Sequence, residues 1–427
     1  MTGRVTLACL ILPLALLVPA CGKHAPAPPP QAASGVRLHG DFSGSGPGTL
    51  LDARTLPTVD RRLPAAMSIA ARIEYTSTSA ITDSETSVTG TVFAPKSQAP
   101  EEGWPIITFG HGSAGIQSDC APSLSPNLMG LAAPVAQLVQ AGYVVVLPDY
   151  QGLGNDKFYS PYLEPKTAGY NMIDAVRAAQ KLVPNTSERW IAAGFSQGAQ
   201  AAWAANELAL TYGKGLKLLG SVALAPPLDL TFIADTAAAG GLDKDQEPIY
   251  LDLLASLKNS YPDFDLDDYR HGVVKDRWDG LLQCDVVDQV DRDKAFDQIT
   301  PDDLRPNSAA ATDALRNRLQ QMSLPQQKAT APMLVVYGGK DPIISVEATS
   351  GALAAACRMG DVIDIRLQPD KGHTDLDIGV AVPWIAERFQ DQPVTNSCVP
   401  PAPAEPASQD VGTPEPDEVD ASEPTPR

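Results

Sequence analysis

The chain has 427 residues, of which 44% are hydrophobic and 19% are charged, so it can bury one large core or a core with an inserted subdomain. It carries 32 basic and 51 acidic side chains, for a formal net charge of −19. A protein this acidic lacks the basic surface that neutralises phosphates, which excludes nucleic acid as an expected partner.

The beginning of the chain predicts an exported protein. Residues 1–20 contain one early arginine followed by an unbroken apolar run, which is typical of a signal peptide. Small residues just before Cys21 predict a bacterial lipoprotein, anchored in the cell envelope (outer membrane or periplasm) by a lipid on that cysteine. The alternative is ordinary cleavage nearby and a free secreted protein. Residues 21–39 are rich in alanine and proline and predict an extended tether.

The remaining cysteines support an oxidising compartment. Beyond the lipidation site there are four, Cys120, Cys284, Cys357 and Cys398, and no two of them form a CxxC pair. An even number at long spacings favours two disulfides over a metal site. Four cysteines allow three pairings, and spacing alone does not choose between them.

Strand and helix patterns alternate along most of the chain. After two early antiparallel strands, apolar β-branched runs at 104–112, 142–150 and 333–341 are typical of buried parallel strands separated by helices. This alternation predicts an α/β fold with a mostly parallel central sheet covered on both faces. The core is predicted in two parts, residues 40–228 and 329–398.

Residues 229–328 break the alternation and predict an inserted helical cap. The acidic run starting at Asp263 resembles a calcium loop, but it lacks glycine at the sixth position and has Val274 in place of the bidentate glutamate. It is therefore interpreted as a solvated loop. Residues 399–427 are rich in proline and acidic residues and are predicted to be disordered.

One short run predicts a nucleophile. Gly194-Phe195-Ser196-Gln197-Gly198 follows a strand pattern and opens a strong helix pattern, which is the strand–turn–helix setting of the G-x-S-x-G motif. The glycines permit a tight turn that exposes the Ser196 hydroxyl above the sheet. The alternative is a glycine-rich helix start with a capping serine.

The general base is predicted by elimination, because a serine hydroxyl is a poor nucleophile without one. The chain has five histidines. His373 follows the last core strand and fits the chain order nucleophile, acid, histidine. The other four lie before the nucleophile or in the predicted cap: His24, His39, His111 and His271.

The acid is predicted between the nucleophile and the histidine, at the end of a core strand. Asp341 is the last residue of the run at 333–341, just after its apolar part, and would orient the His373 imidazole. The alternatives are Asp370, which is too near His373 in the chain to reach it well, and Asp229, which also ends a strand.

Two N–H groups are expected to bind the developing oxyanion. One belongs to Gln197, at the start of the helix, and the other to Gly112 or Ser113 in the loop after an early strand. The sequence does not choose between Gly112 and Ser113. Asp149, at the end of another strand, is interpreted as a structural carboxylate.

Six short runs occur in a characteristic order and spacing: His111-Gly112-Ser113, Asp119-Cys120-Ala121-Pro122-Ser123, Asp149-Tyr150-Gln151-Gly152, Gly194-Phe195-Ser196-Gln197-Gly198, Gly339-Lys340-Asp341 and Gly372-His373-Thr374. On these runs the chain resembles, over residues 65–398, the secretory lipase family, which includes lipase A-type enzymes of yeasts and exported bacterial lipases. The resemblance implies an α/β-hydrolase fold, ester hydrolysis by Ser196, Asp341 and His373, and a cap over the pocket. It also implies the disulfides Cys120–Cys284 and Cys357–Cys398.

These patterns predict an exported, monomeric serine esterase or lipase that acts on a small-molecule or lipid ester through an acyl-enzyme, without a metal or an organic cofactor. A peptidase of the prolyl-oligopeptidase or aminopeptidase kind is the main alternative, although about 65 leading residues cannot hold the usual propeller. A non-catalytic binding module on the same scaffold is the third possibility.

Overall fold

The computed structural model describes residues 35–398 except 57–58, 60–61 and 285–288. The predicted signal peptide, the lipidation site Cys21, His24 and the acidic tail therefore lie outside the described residues, as does most of the predicted tether. Within the described ranges, no helix combines the length and the apolar character that a membrane crossing requires.

The described strands form one sheet at the centre of the molecule. They are β1 Leu50–Thr55, β2 Met67–Ser79, β3 Ser84–Pro95, β4 Trp104–Gly110, β5 Val144–Pro148, β6 Thr186–Phe195, β7 Lys217–Leu224, β8 Met333–Gly338 and β9 Ile363–Gln368. Every residue of β5 and β8 is buried. Because helices exclude water from both faces of the sheet, these strands are continuous apolar runs without polar alternation.

The strand order is β1-β2-β3-β5-β4-β6-β7-β8-β9. The first three strands and β5 pair antiparallel, and all pairings from β5 through β9 are parallel. The predicted mostly parallel sheet with an early antiparallel pair is confirmed. The carboxyl ends of the parallel strands share one edge, which is where open α/β sheets bind ligands.

Helices cover the sheet and fill the connection between β7 and β8. They are α1 Arg62–Ala65, α2 Ala132–Gln140, α3 Pro165–Leu182, α4 Gln197–Tyr212, α5 Thr231–Ala239, α6 Gln246–Ser260, α7 Gly272–Asp276, α8 Trp278–Leu281, α9 Gln289–Asp297, α10 Pro301–Leu304, α11 Ala309–Met322, α12 Val346–Met359 and α13 Ala381–Phe389.

Helices α3 and α4 approach each other closely beside the sheet. A Cβ added at Gly169 of α3 would lie 2.9 Å from the backbone nitrogen of Ala205 in α4. Most of α4 is buried, and its many alanines let the backbone lie near the strands. This packing fixes the position of the N-terminal end of α4.

Helices α5 to α11 form a separate hydrophobic cluster outside the sheet. Its members include the fully buried Tyr250 and Leu254 of α6 and Leu319 of α11. Ile116 and Tyr162, from loops of the sheet domain, belong to the same cluster. Apolar contact therefore attaches the helical insertion to the loops beside the carboxyl edge of the sheet.

Candidate active site

Ser196 occupies the sharp turn between β6 and α4. Its backbone lies at φ 53° and ψ −121°, a strained conformation for a residue other than glycine. The Ser196 N–H donates to the carbonyl of Leu224, 2.8 Å away, which ties the turn to β7. The strain and the anchoring bond together fix the direction of the hydroxyl.

The glycines on either side of this turn are required by close backbone contact. A Cβ at Gly194 would overlap the carbonyl oxygen of Gly198, and a Cβ at Gly198 would overlap the carbonyl oxygen of Gly110. Glycine is therefore required at both positions because it has no Cβ, and not because of its conformational freedom.

His373 and Asp341 lie next to Ser196. His373 Nε2 is 2.9 Å from Ser196 Oγ, and His373 Nδ1 is 2.7 Å from Asp341 Oδ2. The histidine and aspartate side chains are only 6% and 4% exposed, so water does not compete strongly for these hydrogen bonds. The structure thus brings the three predicted catalytic residues into one hydrogen-bonded chain.

The second oxygen of Asp341 is also occupied. Asp341 Oδ1 accepts hydrogen bonds from the backbone N–H groups of Ile343 and Ile344, each at 2.9 Å. Two donors on one oxygen hold the carboxylate plane so that Oδ2 faces the imidazole. This arrangement fixes the tautomer in which Nδ1 carries the proton.

The two alternative acids lie elsewhere. Asp370 forms an ion pair with Lys340 and its side chain is 87% exposed. Asp229 accepts hydrogen bonds from the backbone N–H and hydroxyl of Thr231 at the start of α5. Neither carboxylate contacts His373.

The predicted oxyanion residues lie around the serine. Gly112 and Ser113 line the same cavity as Ser196, and a Cβ at Gly112 would be 3.6 Å from Ser196 Cβ. Gln197 is the first residue of α4, where the N–H groups lack helical acceptors. The Ser113 hydroxyl hydrogen-bonds to the hydroxyl of Tyr162.

His111 is a buried part of the same loop, although it is not bonded to Ser196. Its Nδ1 lies 2.6 Å from the carbonyl oxygen of Gly112 and its Nε2 lies 3.2 Å from that of Asp149. Burial lowers the pKa of His111, which favours the neutral imidazole. A neutral imidazole has one N–H, so the ring donates to one of these two carbonyls while it lies between Gly112 and the residue after β5.

Asp149 has the structural environment expected from the sequence. Its Oδ2 accepts from the Thr89 hydroxyl at 2.7 Å, and its Oδ1 accepts from the Ser123 N–H at 2.9 Å. Asp149 is 1% exposed. It joins β3 to the loop that follows the oxyanion residues.

A mostly apolar cavity of about 300 Å³ opens beside the serine. Sequence reasoning missed its apolar walls, which come from separate parts of the chain: Met129, Leu131, Phe195, Ile249 and Ile343. Gln246, one turn before Ile249 in α6, donates from Nε2 to the carbonyl of Ile343 at 3.1 Å. The helical insertion is thereby bonded to the loop that holds Asp341. No local motif predicts these long-range contacts.

A second cavity, of about 290 Å³, lies between α3, α4 and residues 324–327. Its carboxylate, Glu207, accepts from Trp203 Nε1 at 2.9 Å and from the N–H groups of Gln326 and Gln327 at 3.2 Å. These hydrogen bonds give Glu207 a structural role, because they hold residues 326–327 against α4. The nucleophile and the histidine lie at the first cavity.

Both disulfides follow the pairing that the family resemblance implies. Cys120 is bonded to Cys284, and Cys357 to Cys398. The first joins the loop after β4 to the helical insertion, and the second joins α12 to the end of the described chain. Asp119 lies beside the first pair, but these sulfurs are bonded to each other and leave no thiolate for a metal.

Asp252, in α6, is a buried carboxyl group near the site. Burial raises its pKa to about 7, and the positive charge of Arg292 opposes this shift. Burial and then the Asp252 charge raise the pKa of Tyr162, the residue bonded to Ser113. The folded protein therefore binds a proton at Asp252 more tightly than the unfolded chain does.

We expect the free energy of unfolding to fall as the pH rises from 3.8, the ordinary pKa, to about 7, the folded-state pKa. Ionising a buried carboxylate accounts for up to about 4 kcal/mol of this loss. Asp252→Asn should flatten the pH dependence measured by urea denaturation. The matched control is Asp293→Asn, an exposed position of α9. Parallel pH curves for Asp252→Asn and the wild type would contradict this expectation.

The sheet order, the helices on both faces and the turn at Ser196 define a protein of the α/β-hydrolase fold. The structure superposes on lipase A of Candida antarctica in its closed state with a TM-score of 0.66. That match covers 83% of this chain and 85% of the lipase at 18% identity, so it shows the fold. The predicted α/β-hydrolase fold is confirmed.

The chain belongs to the secretory lipase family, a group of carboxylic ester hydrolases, because the family's model matches residues 123–397. It is similar to "Lipase 10" of Candida albicans, with 24% identity over 84% of this chain and 80% of that protein. It is also similar to "Probable trichothecene esterase SAT6" of Stachybotrys chartarum, with 28% identity over 54% of this chain. That alignment spans about half (48%) of the esterase.

Proposed function

We propose that this chain is an exported serine esterase or lipase that cleaves acyl esters through a covalent acyl-enzyme. The observation that carries the proposal is the hydrogen-bonded chain from Ser196 through His373 to Asp341, at the wall of an apolar cavity. Membership of the secretory lipase family supports an ester as the scissile bond.

In the first step His373 Nε2 accepts the proton of the Ser196 hydroxyl as Oγ attacks the ester carbonyl carbon. The distance of 2.9 Å between these atoms suits direct proton transfer. Asp341 stabilises the imidazolium that forms, through its bond to Nδ1. Collapse of the tetrahedral intermediate transfers the proton from Nε2 to the leaving alcohol and leaves Ser196 acylated.

In the second step His373 accepts a proton from water, and the resulting hydroxide attacks the acyl carbon. The second tetrahedral intermediate collapses, the proton returns to Ser196 Oγ and the carboxylic acid leaves. Asp341 serves both transfers, because its 2.7 Å hydrogen bond to Nδ1 keeps Nε2 directed at the reacting oxygen.

Each intermediate carries a negative oxygen. We assign its binding to the N–H of Gln197 and to one N–H from Gly112 or Ser113. The N-terminal end of α4 adds a partial positive charge at the same point. The Tyr162–Ser113 hydrogen bond supports this role because Tyr162, a sheet-domain residue that packs against the helical insertion, restrains the loop.

The remaining parts of the proposal concern the setting. Residues 229–328 act as a cap over the pocket, between core segments 40–228 and 329–398. The protein works as a monomer on a small-molecule or lipid ester and needs no metal or organic cofactor. It is exported, with residues 1–20 removed, and is held at the membrane by a lipid on Cys21.

A fluorophosphonate probe tests the nucleophile directly. We expect covalent labelling at Ser196, located by mass spectrometry of the digested protein, together with hydrolysis of short p-nitrophenyl esters. Ser196→Ala should abolish both signals, because no other oxygen lies within bonding distance of His373 Nε2 among the described residues. Ser68→Ala, which replaces an exposed serine of β2, should retain both.

Three results would contradict the proposal. Labelling elsewhere in the chain would reject Ser196 as the nucleophile. Absence of labelling and of hydrolysis in the wild type would favour a non-catalytic binding module. Turnover of peptide substrates without turnover of esters would indicate a peptidase on the same fold.

A further inference from the structure

Residues 125–131, here the rim loop, have an unusual backbone beside the cavity. Leu128 and Met129 both have φ of 54°, and Gly130 has φ of 91°. A left-handed conformation at a residue other than glycine costs on the order of 1–3 kcal/mol. Two such residues in succession require that the surrounding structure hold them there.

Hydrogen bonds and one buried side chain hold the rim loop. The carbonyl of Asn127 accepts from the N–H groups of Gly130 and Ala132, at 3.0 and 3.2 Å. The Met129 N–H donates to Ser125 Oγ at 3.2 Å. Leu128 is 1% exposed and packs in the core cluster below the loop. The conformation of the rim loop is therefore held by specific contacts within the loop and with the core.

This conformation directs two neighbouring side chains to different environments. Leu128 enters the core, whereas Met129 is 49% exposed and still lines the cavity that contains Ser196. A ligand that covers the exposed half of this apolar side chain gains free energy in proportion to the area removed from water. Methionine is also flexible and polarisable, which suits contact with a chain of variable shape.

The volume of the cavity bears on which part of a bound ester would contact Met129. Its volume of about 300 Å³ is at the small end of the range for ligand pockets, about 300–1,000 Å³. Met129 is half-exposed, so it lies where the cavity meets solvent, and a hydrocarbon chain too long for the cavity would pass it there. Leu131 and Ile249 extend the apolar wall in the same cavity.

We propose that Met129 is a specificity-determining residue, which contacts the hydrocarbon chain of the ester where that chain leaves the cavity. The substrate class is then esters whose chain is long enough to reach the rim. This inference rests on the proposed esterase function. It concerns chain-length preference and leaves the reacting atoms at Ser196 unchanged.

The test compares p-nitrophenyl acetate with p-nitrophenyl octanoate. In the wild type kcat/KM should be higher for the octanoate ester. In Met129→Ala, kcat/KM for octanoate should fall about tenfold, while kcat/KM for acetate should stay within about twofold of the wild type. The tenfold loss corresponds to about one or two methylene groups that the octanoate chain no longer buries against the side chain. Met129→Leu should restore most of the octanoate activity.

Two further variants distinguish loss of the Met129 side-chain contact from a change in the strain of the rim loop. Met129→Gly suits the positive φ, so its loop is relaxed while the side chain is lost. It should show the same octanoate defect as Met129→Ala. Met359→Ala removes another half-exposed methionine, 41% exposed at the end of α12, and should behave as the wild type.

The outcomes distinguish this inference from the proposed function. An unchanged chain-length profile in Met129→Ala, an equal loss on both esters, or a gain on octanoate would each overturn the role of Met129 while ester hydrolysis remained. A wild type that hydrolyses neither ester would overturn the proposed function itself.

Discussion

His373→Ala is expected to lower kcat for p-nitrophenyl ester hydrolysis by about 10⁴–10⁶-fold, with a much smaller change in KM. The structure gives the reason. Only His373 Nε2 lies within hydrogen-bond distance of Ser196 Oγ among the described residues, at 2.9 Å. Without it the serine proton has no acceptor in the attack, and the leaving alcohol has no donor.

Rates are measured under saturating substrate, and intact folding is checked by circular dichroism. The matched control is His271→Ala in the helical insertion, whose ring contacts the carbonyl of Arg305 at 3.0 Å. It should keep near-wild-type kcat. A His373→Ala enzyme within about tenfold of the wild type would contradict the assigned base, because general acid–base catalysis contributes at least about 10²-fold.

Gly198→Ala is expected to destabilise the fold by about 3 kcal/mol or more and to abolish esterase activity, in line with the costs of overpacking and backbone strain. A Cβ at this position would overlap the carbonyl group of Gly110 and would lie 2.8 Å from the carbonyl oxygen of His111. All these neighbours are backbone atoms, which cannot turn away as a side chain can. Relief requires α4 to move from β4, and Ser196 moves with it.

Urea denaturation measures the loss, and the p-nitrophenyl assay measures the activity. Gly351→Ala is the control, because a Cβ there, in the interior of α12, has no neighbour within 4 Å. It should be neutral or stabilising by about 0.5–1 kcal/mol, from the lower entropy of the unfolded chain. Equal stability of Gly198→Ala and the wild type would show that the helix tolerates displacement at this turn.

Much of the sheet could be predicted because its strands differ from helices in length and composition. Buried parallel strands are short β-branched runs, and glycines mark where they end. The turn at Ser196 follows from the same local signals. Asp341 and His373 could be predicted because parallel strands bring their following loops to one edge.

Other features depend on contacts between distant residues and have no local signal. β1 (Leu50–Thr55) pairs with β2, but only Leu50 and Ala53 are buried, so the strand lacks the two-residue alternation that predicts a half-buried strand. The apolar walls of the cavity are equally hidden, because Ile249 and Ile343 meet only after the insertion has folded. The left-handed backbone at Leu128 and Met129 was unpredictable as well, since neither residue favours it.

The Cys120–Cys284 bond gives the helical insertion a third point of covalent attachment. Its chain leaves the sheet after Leu224 and returns at Met333, and two neighbouring connections alone would permit rotation about one axis. The disulfide adds an anchor on the loop after β4. Three covalent connections that do not lie on one line restrain rotation of the insertion as a rigid body about the two chain connections. The disulfide therefore restrains the insertion in addition to the apolar cluster and the Gln246–Ile343 hydrogen bond, and reduction of Cys120–Cys284 would remove only that one restraint.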